Sequence, residues 1–170
     1  KKNVGETVKK IVVPEQSKQT QQTQQAQQAQ QQQSTEDIEE LTFEVLTNDG
    51  RMQTLEYLLQ LKNIFSGELP RMPKNYISRL VFDRQHQAVV MFKQPKSHIP
   101  PDKIPIQCKK RVIGGITFRP VMAERFIEIA FCAVTSLEQR RGYGRVLMNN
   151  LKAFCQSCRW MRFLTYADNF

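Results

Sequence analysis

The pattern of apolar and polar positions predicts a chain that alternates between strands and helices. Strands are expected where apolar residues alternate with polar ones or run continuously, and helices where they recur every three or four positions. The predicted strands cover residues 41–46, 88–92, 112–120, 126–134 and 160–166. The predicted helices cover residues 54–65 and 74–80 and a longer segment that follows Gly144. Strands and helices interleaved in this way predict a mixed α/β (α+β) domain.

Two of the predicted helices carry an apolar face. In the first helix, leucines at helical spacing form this face: Leu55, Leu58, Leu59 and Leu61. In the last helix the face combines aliphatic, aromatic and thiol side chains: Leu147, Leu151, Phe154, Cys155 and Cys158. Both faces are expected to pack against the core of the domain.

The strand over 126–134 is almost continuously apolar, and Glu128 is its only charged residue. A continuous apolar run is typical of a strand that is covered on both faces. Burial of a carboxylate disfavours its charged form and raises its pKa, which tunes a proton acceptor toward neutral pH. Glu128 is therefore a candidate general base. The structural alternative is a strand whose Glu128 face meets solvent.

A basic, glycine-containing turn follows this strand and opens the last helix. The leading N–H groups of a helix suit a phosphate, and Gly142 and Gly144 allow the backbone to approach a ligand closely. Arg140, Arg141 and Arg145 add positive charge at the same place. The chain has no lysine-containing P-loop, and it lacks the third glycine of a dinucleotide fingerprint. A phosphate cradle and an ordinary strand-to-helix turn both remain open on spacing alone.

The four cysteines favour free thiols over a metal site. Cys155 and Cys158 have the C-x-x-C spacing, but both lie on the predicted apolar face of a helix. A structural zinc site needs four ligands. The other candidates occur singly along the chain: Cys108, Cys132, His86 and His98. We therefore expect buried free thiols and no metal.

Composition divides the chain into two parts. Residues 1–36 are mostly polar and include a glutamine tract over 19–33 with few apolar residues to pack, so a disordered linker is expected there. Residues 37–170 are expected to form one folded domain. No run of about 18 apolar residues predicts a membrane span. No secretory signal is evident, which favours a reducing compartment.

The formal net charge of +9 suits an acidic or polyanionic partner. The basic residues form neither a stripe interleaved with aromatic residues nor a recognition helix. A general DNA-binding module is therefore disfavoured, and neither direct nucleic-acid specificity nor membrane binding is expected.

The residues around the basic turn resemble a known superfamily. Gln139-Arg-Arg-Gly142-Tyr-Gly144 is similar to the Gln/Arg-x-x-Gly-x-Gly/Ala signature of the GNAT superfamily of acetyl-CoA-dependent N-acetyltransferases. A wider set of segments resembles the catalytic domain of the general-control-nonderepressible (PCAF-like) histone acetyltransferases. These segments are 46–50, 61–65, 69–74, 76–83, 114–119, 128–134, 138–144 and 164–170. The resemblance extends over about residues 41–170.

The resemblance implies the GNAT acetyltransferase fold, a mixed and mostly antiparallel sheet flanked by helices. It also implies a histone (lysine) N-acetyltransferase that uses acetyl-CoA as co-substrate and no metal. By resemblance, Glu128 is the general base that takes a proton from the substrate lysine ammonium. The amine then attacks the acetyl-CoA thioester directly in a ternary complex. A ping-pong route through an acylated Cys132 is the weaker alternative.

The same resemblance assigns residues to the cofactor. Cys132 would offer its backbone N–H to the acetyl carbonyl, and Cys132, Ala133 and Val134 would line the pantetheine arm. The residues expected to hold the pyrophosphate are Gln139, Arg140, Arg141, Gly142, Tyr143, Gly144 and Arg145. Phe170 falls at the edge of the site and is expected to contact the cofactor.

Partners and location follow from the resemblance as well. Histone amino-terminal tails, a multi-subunit transcriptional coactivator complex and the nucleus are expected. The segment over 94–111 is longer than the family's usual connection, and the domain is expected to be incomplete at its C-terminus, after Phe170. Two alternatives stay open: a catalytically inactive, truncated GNAT domain that serves as a binding module, and a small-molecule N-acetyltransferase.

Overall fold

The computed structural model describes residues 38–100, 102, 104 and 108–166. The predicted linker over 1–36 and the predicted contact residue Phe170 lie outside the described residues. The described strands are β1 (Glu39–Thr47), β2 (Gln87–Pro95), β3 (Arg111–Val121), β4 (Phe126–Val134) and β5 (Arg162–Thr165). The described α-helices are α1 (Met52–Glu68), α2 (Lys74–Phe82) and α3 (Tyr143–Ser157), and a 3₁₀ turn spans Ser136–Glu138.

The strands form one sheet in the order β1-β2-β3-β4-β5. The first four strands pair in antiparallel fashion, and β5 pairs with β4 in parallel. This arrangement confirms the predicted mixed, mostly antiparallel sheet flanked by helices. Among the described residues, no helix is both long enough and apolar enough to cross a membrane.

Helices cover both faces of the sheet and create two cores. On one face, α1 and α2 pack over β2–β4 through the buried residues Leu58, Leu61, Phe65, Ile77, Val81, Ala88, Val90, Phe92, Val112 and Phe131. On the other face, α3 packs through Val89, Met91, Ile113, Ile116, Phe118, Ile127, Leu147, Leu151 and Cys155. The central strands are thus buried on both sides, which explains their continuous apolar runs.

The predicted core face of the first helix is partly wrong. Leu58 and Leu61 are buried as expected, but Leu59 is 49% exposed. The buried residues of α1 are spaced by three and four positions, and Thr54 and Phe65 complete this face. Leu59 directly follows Leu58, so it projects about 100° away from the buried face.

The end of the chain also departs from the prediction. Helix α3 stops at Ser157, so Cys158 caps its C-terminus and is exposed, whereas Cys155 is buried. The predicted strand over 160–166 is reduced to β5. Trp160 instead donates its backbone N–H to Cys155 O at 2.9 Å, and its ring packs 5.6 Å from that of Phe154.

Candidate active site

A bulge in β4 reverses the faces that the side chains on its two sides occupy. Thr117 of β3 faces Phe131, and Phe118 faces Ile129, so Ala130 has no partner of its own. Ile127 consequently joins the α3 core, whereas Phe131 joins the core under α1 and α2. Without the bulge, residues four apart on a strand would share one face.

The same bulge separates Glu128 from Cys132. Glu128 lies on the α2 side, where it lines a cavity of about 370 Å³. We call this the Glu128 cavity, and its other lining residues are Met72, Tyr76, Leu80, His86, Arg119, Ile129, Ala130 and Tyr166. Cys132 lies on the α3 side and lines a different groove. A single strand therefore serves two adjoining sites.

The expected burial of Glu128 is wrong, because the residue is exposed in the structure. The apolar run had suggested that both faces of β4 are covered along its whole length. The run arises instead because the buried side changes at the bulge, from Ile127 to Phe131. Glu128 thus presents its carboxylate to an open cavity.

Two residues of the Glu128 cavity were not assigned to the active site from the sequence, which had offered His86 only as a candidate metal ligand. Arg119 of β3 pairs directly with Glu128 of β4. His86 lies next to Gln87, the first residue of β2, and Gln87 pairs with Phe118, the neighbour of Arg119 on β3. His86 is 8% exposed, and its Nδ1 lies 3.0 Å from Asp83 Oδ2. The backbone N–H of Gln85, together with the His86 ring and the Arg119 charge, holds the pKa of Asp83 below its ordinary value.

The outer edge of β4 is open beyond the bulge. Strand β5 pairs only with Phe126–Ile129, so residues 130–134 have no strand partner on that side within the described part of the chain. An open edge carries backbone N–H and C=O groups that an extended ligand can bind in the manner of an added strand.

The groove between β4 and α3 has a volume of about 410 Å³. We call it the β4–α3 groove, and it is lined by Cys132, Ala133, Val134, Glu138, Gln139, Arg140, Gly142, Tyr143, Gly144 and Arg145. Among the described residues, the structure therefore brings together all of the predicted cofactor residues except Arg141. Arg141 does not line the groove, and its Nε lies 3.5 Å from Glu138 Oε2.

The backbone of the turn is shaped for a ligand at the start of α3. Arg140 and Gly142 adopt left-handed conformations, with φ of 64° and 77°. No side chain caps the helix, and the N–H groups of Arg145 and Val146 both donate to Gly142 O. The leading N–H groups of a helix have no intrahelical acceptor, so this uncapped end can bind an anion.

Glu68, the last residue of α1, holds the loop in place. Its carboxylate accepts a hydrogen bond from the Ser136 backbone N–H at 2.7 Å and another from Gln139 Nε2 at 2.9 Å. Gln139 Nε2 also donates to Val134 O at 3.0 Å. The Gln139 side chain is thus engaged within the protein and supports the loop.

The groove offers no activated thiol. Cys132 is exposed, yet desolvation by the surrounding protein raises the pKa of its thiol above the ordinary value. Among the residues that line the groove there is no histidine to accept the thiol proton. A raised pKa keeps Cys132 in its thiol form, which is a much weaker nucleophile than the thiolate. Within the described residues, no group of three or more metal-binding side chains occurs.

The sequence of this chain is similar to those of curated acetyltransferases. The chain is 44% identical over 132 residues to histone acetyltransferase GCN5 of Debaryomyces hansenii, which covers 77% of this chain and 26% of that protein. It spans about a quarter of the length of the curated relatives that it matches.

Solved structures of GCN5 also resemble this chain. The crystal structure of Tetrahymena GCN5 matches with 47% identity and a TM-score of 0.62, over 76% of this chain and 72% of that one. The catalytic domain of Tetrahymena GCN5 histone acetyltransferase in complex with coenzyme A matches with 48% identity and a TM-score of 0.56, over 76% and 70% of the two chains. The profile of the Acetyltransferase (GNAT) family matches residues 60–170. This chain belongs to the GNAT acetyltransferase family.

Proposed function

We propose that the domain spanning residues 37–170 transfers the acetyl group of acetyl-CoA to lysine amines of histones. The observation that supports this proposal is the β4 bulge, because the Glu128 cavity and the β4–α3 groove lie on the two sides of this one strand. The lysine would enter from the Glu128 cavity and the acyl donor from the β4–α3 groove. Their reacting atoms would meet beside β4.

Glu128 would act as the general base. A lysine side chain has an ordinary pKa near 10.4, so at neutral pH it arrives protonated and cannot attack a thioester. Glu128 would accept this proton, directly or through one water, and the free amine would then attack the thioester carbonyl in a ternary complex. The first ammonium proton would go to the carboxylate, the nitrogen would form a bond to the acetyl carbon as the carbon–sulfur bond breaks, and the departing coenzyme A thiolate would take up the second proton that the nitrogen releases.

The residues of the β4–α3 groove fit coenzyme A. The open edge of β4 suits the amide-containing pantetheine arm, and the uncapped start of α3 suits the diphosphate. Arg140 and Arg145 supply positive charge, and Gly142 supplies the left-handed turn. Bound there, acetyl-CoA would supply the activated acyl group. The backbone N–H of Cys132 would stabilise the oxyanion that develops on the thioester carbonyl.

Histones are the proposed substrate, because relatives that are 43–44% identical to this chain are named histone acetyltransferases. Amino-terminal histone tails, a nuclear location and membership of a multi-subunit coactivator complex follow as proposals from the same likeness. The excess of positive charge on this chain suits the polyanionic donor more than it suits a basic tail.

A substrate competition tests this function. The protein is incubated with labelled acetyl-CoA, a lysine-containing histone tail peptide and a polyamine at equal concentrations. We expect label on lysine side chains of the peptide and no acyl adduct on Cys132, both measured by mass spectrometry. Label found on the polyamine alone would favour a small-molecule acetyltransferase. Coenzyme A binding without any transfer would favour an inactive binding module.

A further inference from the structure

An acidic side chain lies in the wall of the β4–α3 groove, where an anion is proposed to bind. Glu138 lines this groove, belongs to the 3₁₀ turn between β4 and α3, and is only 8% exposed. A buried carboxylate facing a diphosphate is unfavourable unless another charge compensates it. The surroundings of Glu138 must therefore supply that charge.

Lys93 supplies it from the sheet. This residue of β2 is 7% exposed, and its Nζ donates to the two carboxylate oxygens of Glu138 at 2.7 and 2.9 Å. The same Nζ lies 5.9 Å from the ring centroid of Tyr143, the first residue of α3. Arg141 Nε lies 3.5 Å from Glu138 Oε2 on the loop side. Lys93 thus links the interior of the sheet to the loop and to the start of α3.

We propose that Lys93 is a positioning residue for the acyl donor, because it neutralises Glu138 and fixes the loop that receives the diphosphate. Lys93 does not line the groove, so it would act on the ligand only through Glu138 and Tyr143. This inference rests on the proposed function of the groove and deepens it. A sequence gives no local sign of the pair, since its two members stand 45 positions apart.

The charge arrangement makes the expected effects asymmetric. Lys93→Met removes the ammonium that binds both carboxylate oxygens of Glu138 and leaves only the more distant Arg141 Nε, 3.5 Å from Glu138 Oε2, so coenzyme A should bind much more weakly. Glu138→Gln removes the repulsive charge itself, so its effect should be smaller. The double variant K93M/E138Q restores neutrality and should recover most of the lost affinity. A double-mutant cycle of this kind isolates the coupling of the pair.

The experiment compares two donors that differ in the diphosphate. Coenzyme A affinity is measured by calorimetry, and kcat/KM is measured with acetyl-CoA and with S-acetylpantetheine, which lacks the diphosphate and the nucleotide. For K93M we expect the coenzyme A Kd to rise about tenfold, the order expected from the loss of one positive charge at close range. Use of S-acetylpantetheine should change less than about twofold, because no diphosphate contact is lost.

Two matched variants separate the effect of Lys93 from a general loss of charge or of folding. Lys152→Met removes an equal charge from an exposed position of α3 outside the groove, and it should leave coenzyme A binding unchanged. Lys93→Gln keeps a hydrogen-bond donor for Glu138 but no charge. It should weaken coenzyme A binding by an intermediate factor, and it replaces K93M if that variant fails to fold.

The positioning role alone would be overturned if K93M, or K93Q in its place, bound coenzyme A as tightly as the wild type. It would also be overturned if kcat/KM fell equally with acetyl-CoA and with S-acetylpantetheine. A third contradicting result would be that adding E138Q restores none of the lost coenzyme A affinity. Failure of the wild type to bind coenzyme A would overturn the proposed function and the positioning role together. Coenzyme A binding does not require catalysis, so the two failures are distinguishable.

Discussion

At the scale of single residues, the site depends on one carboxylate and on backbone groups. Glu128 is the acidic side chain of its cavity, whereas Cys132 lines the neighbouring groove with a thiol whose pKa is raised by desolvation. Arg119 and His86 also line the Glu128 cavity, and the sequence did not predict their place beside Glu128. They lie on other strands or turns, and only the register of the sheet brings them beside Glu128.

The cysteines provide a test of the groove. Cys132 and Cys158 are exposed, whereas Cys108 and Cys155 are buried, and desolvation raises the pKa of Cys155 to about 11. In native protein at neutral pH, we expect an alkylating reagent to modify Cys158 and, more slowly, Cys132, and to spare the buried pair. Coenzyme A at about ten times its Kd should slow labelling of Cys132 about tenfold, by occupancy of the groove.

Peptide mass spectrometry after timed alkylation gives the four rates. Cys158 serves as the internal control, because it lies outside the groove and its rate should not respond to coenzyme A. An unchanged Cys132 rate at saturating coenzyme A would show that the ligand binds elsewhere.

A substitution at Gly142 tests the left-handed conformation of the turn. Its φ of 77° is left-handed, and an added Cβ would meet no heavy atom within 4 Å. Gly142→Ala should therefore lower the free energy of unfolding by about 1 kcal/mol through backbone strain alone. Gly144→Ala is the control, since Gly144 has equal space and no positive φ. Denaturant unfolding compares the two, and equal stabilities would contradict the assigned conformation of Gly142.

At the scale of elements, the site is built where three of them meet. Strand β4 supplies the bulge and the open edge, α3 supplies an uncapped N-terminus, and the end of α1 holds the loop between them. Helix α2 closes the Glu128 cavity through Tyr76 and Leu80. Changes in these elements should therefore affect ligand binding without touching the ligand.

Glu68 allows this expectation to be measured. Glu68→Ala removes the acceptor for the Ser136 N–H and for Gln139 Nε2, so the loop should lose its fixed position. We expect coenzyme A affinity to fall about three- to tenfold, since an exposed charge-assisted hydrogen bond contributes on the order of 1 kcal/mol. Glu56→Ala, an exposed change on the same helix, is the control for calorimetry. Equal affinities for both variants would argue against a loop held by α1.

The turn between α2 and β2 should make stability depend on pH. The pKa of Asp83 lies below its ordinary value of 3.8, mainly because the Gln85 N–H donates to its carboxylate. A lowered folded-state pKa stabilises the fold above pH 3.8, and this contribution disappears as pH falls through the folded-state value. Asp83→Asn should be less stable than the wild type at pH 7, and the difference should shrink toward pH 2.

Urea unfolding at several pH values measures this trend. A gap between the two proteins that stays constant from pH 7 to pH 2 would contradict the assigned role of the Asp83 carboxylate.

The sequence predicted the elements better than their junctions. Periodicity located the central strands, because burial on both faces leaves a long apolar run, as in β2. It did not reveal the bulge at Ala130, and so it misjudged the burial of Glu128. It extended the last helix past Ser157, because the apolar spacing that includes Cys158 continues beyond the end of the helix. The Lys93–Glu138 pair depends on tertiary contact that no local pattern encodes.

At the scale of the whole molecule, family membership and charge point to the same partner. The chain belongs to an acetyltransferase family and carries a formal net charge of +9, which favours a polyanionic donor. Its sheet places a proposed base and a proposed donor site on adjoining surfaces of one strand. The central claim is that these two surfaces cooperate in acetyl transfer to lysine, with Glu128 as the base.

The most direct test is the rate of acetyl transfer to a histone tail peptide as a function of pH, for the wild type and for Glu128→Gln. We expect the wild type to transfer acetyl groups and the variant to be slower by about a hundredfold or more at pH 7, the range of general-base catalysis. The difference should shrink as pH rises toward the lysine pKa near 10.4, because the free amine needs no base. Equal rates at pH 7, or no transfer by the wild type, would contradict the account.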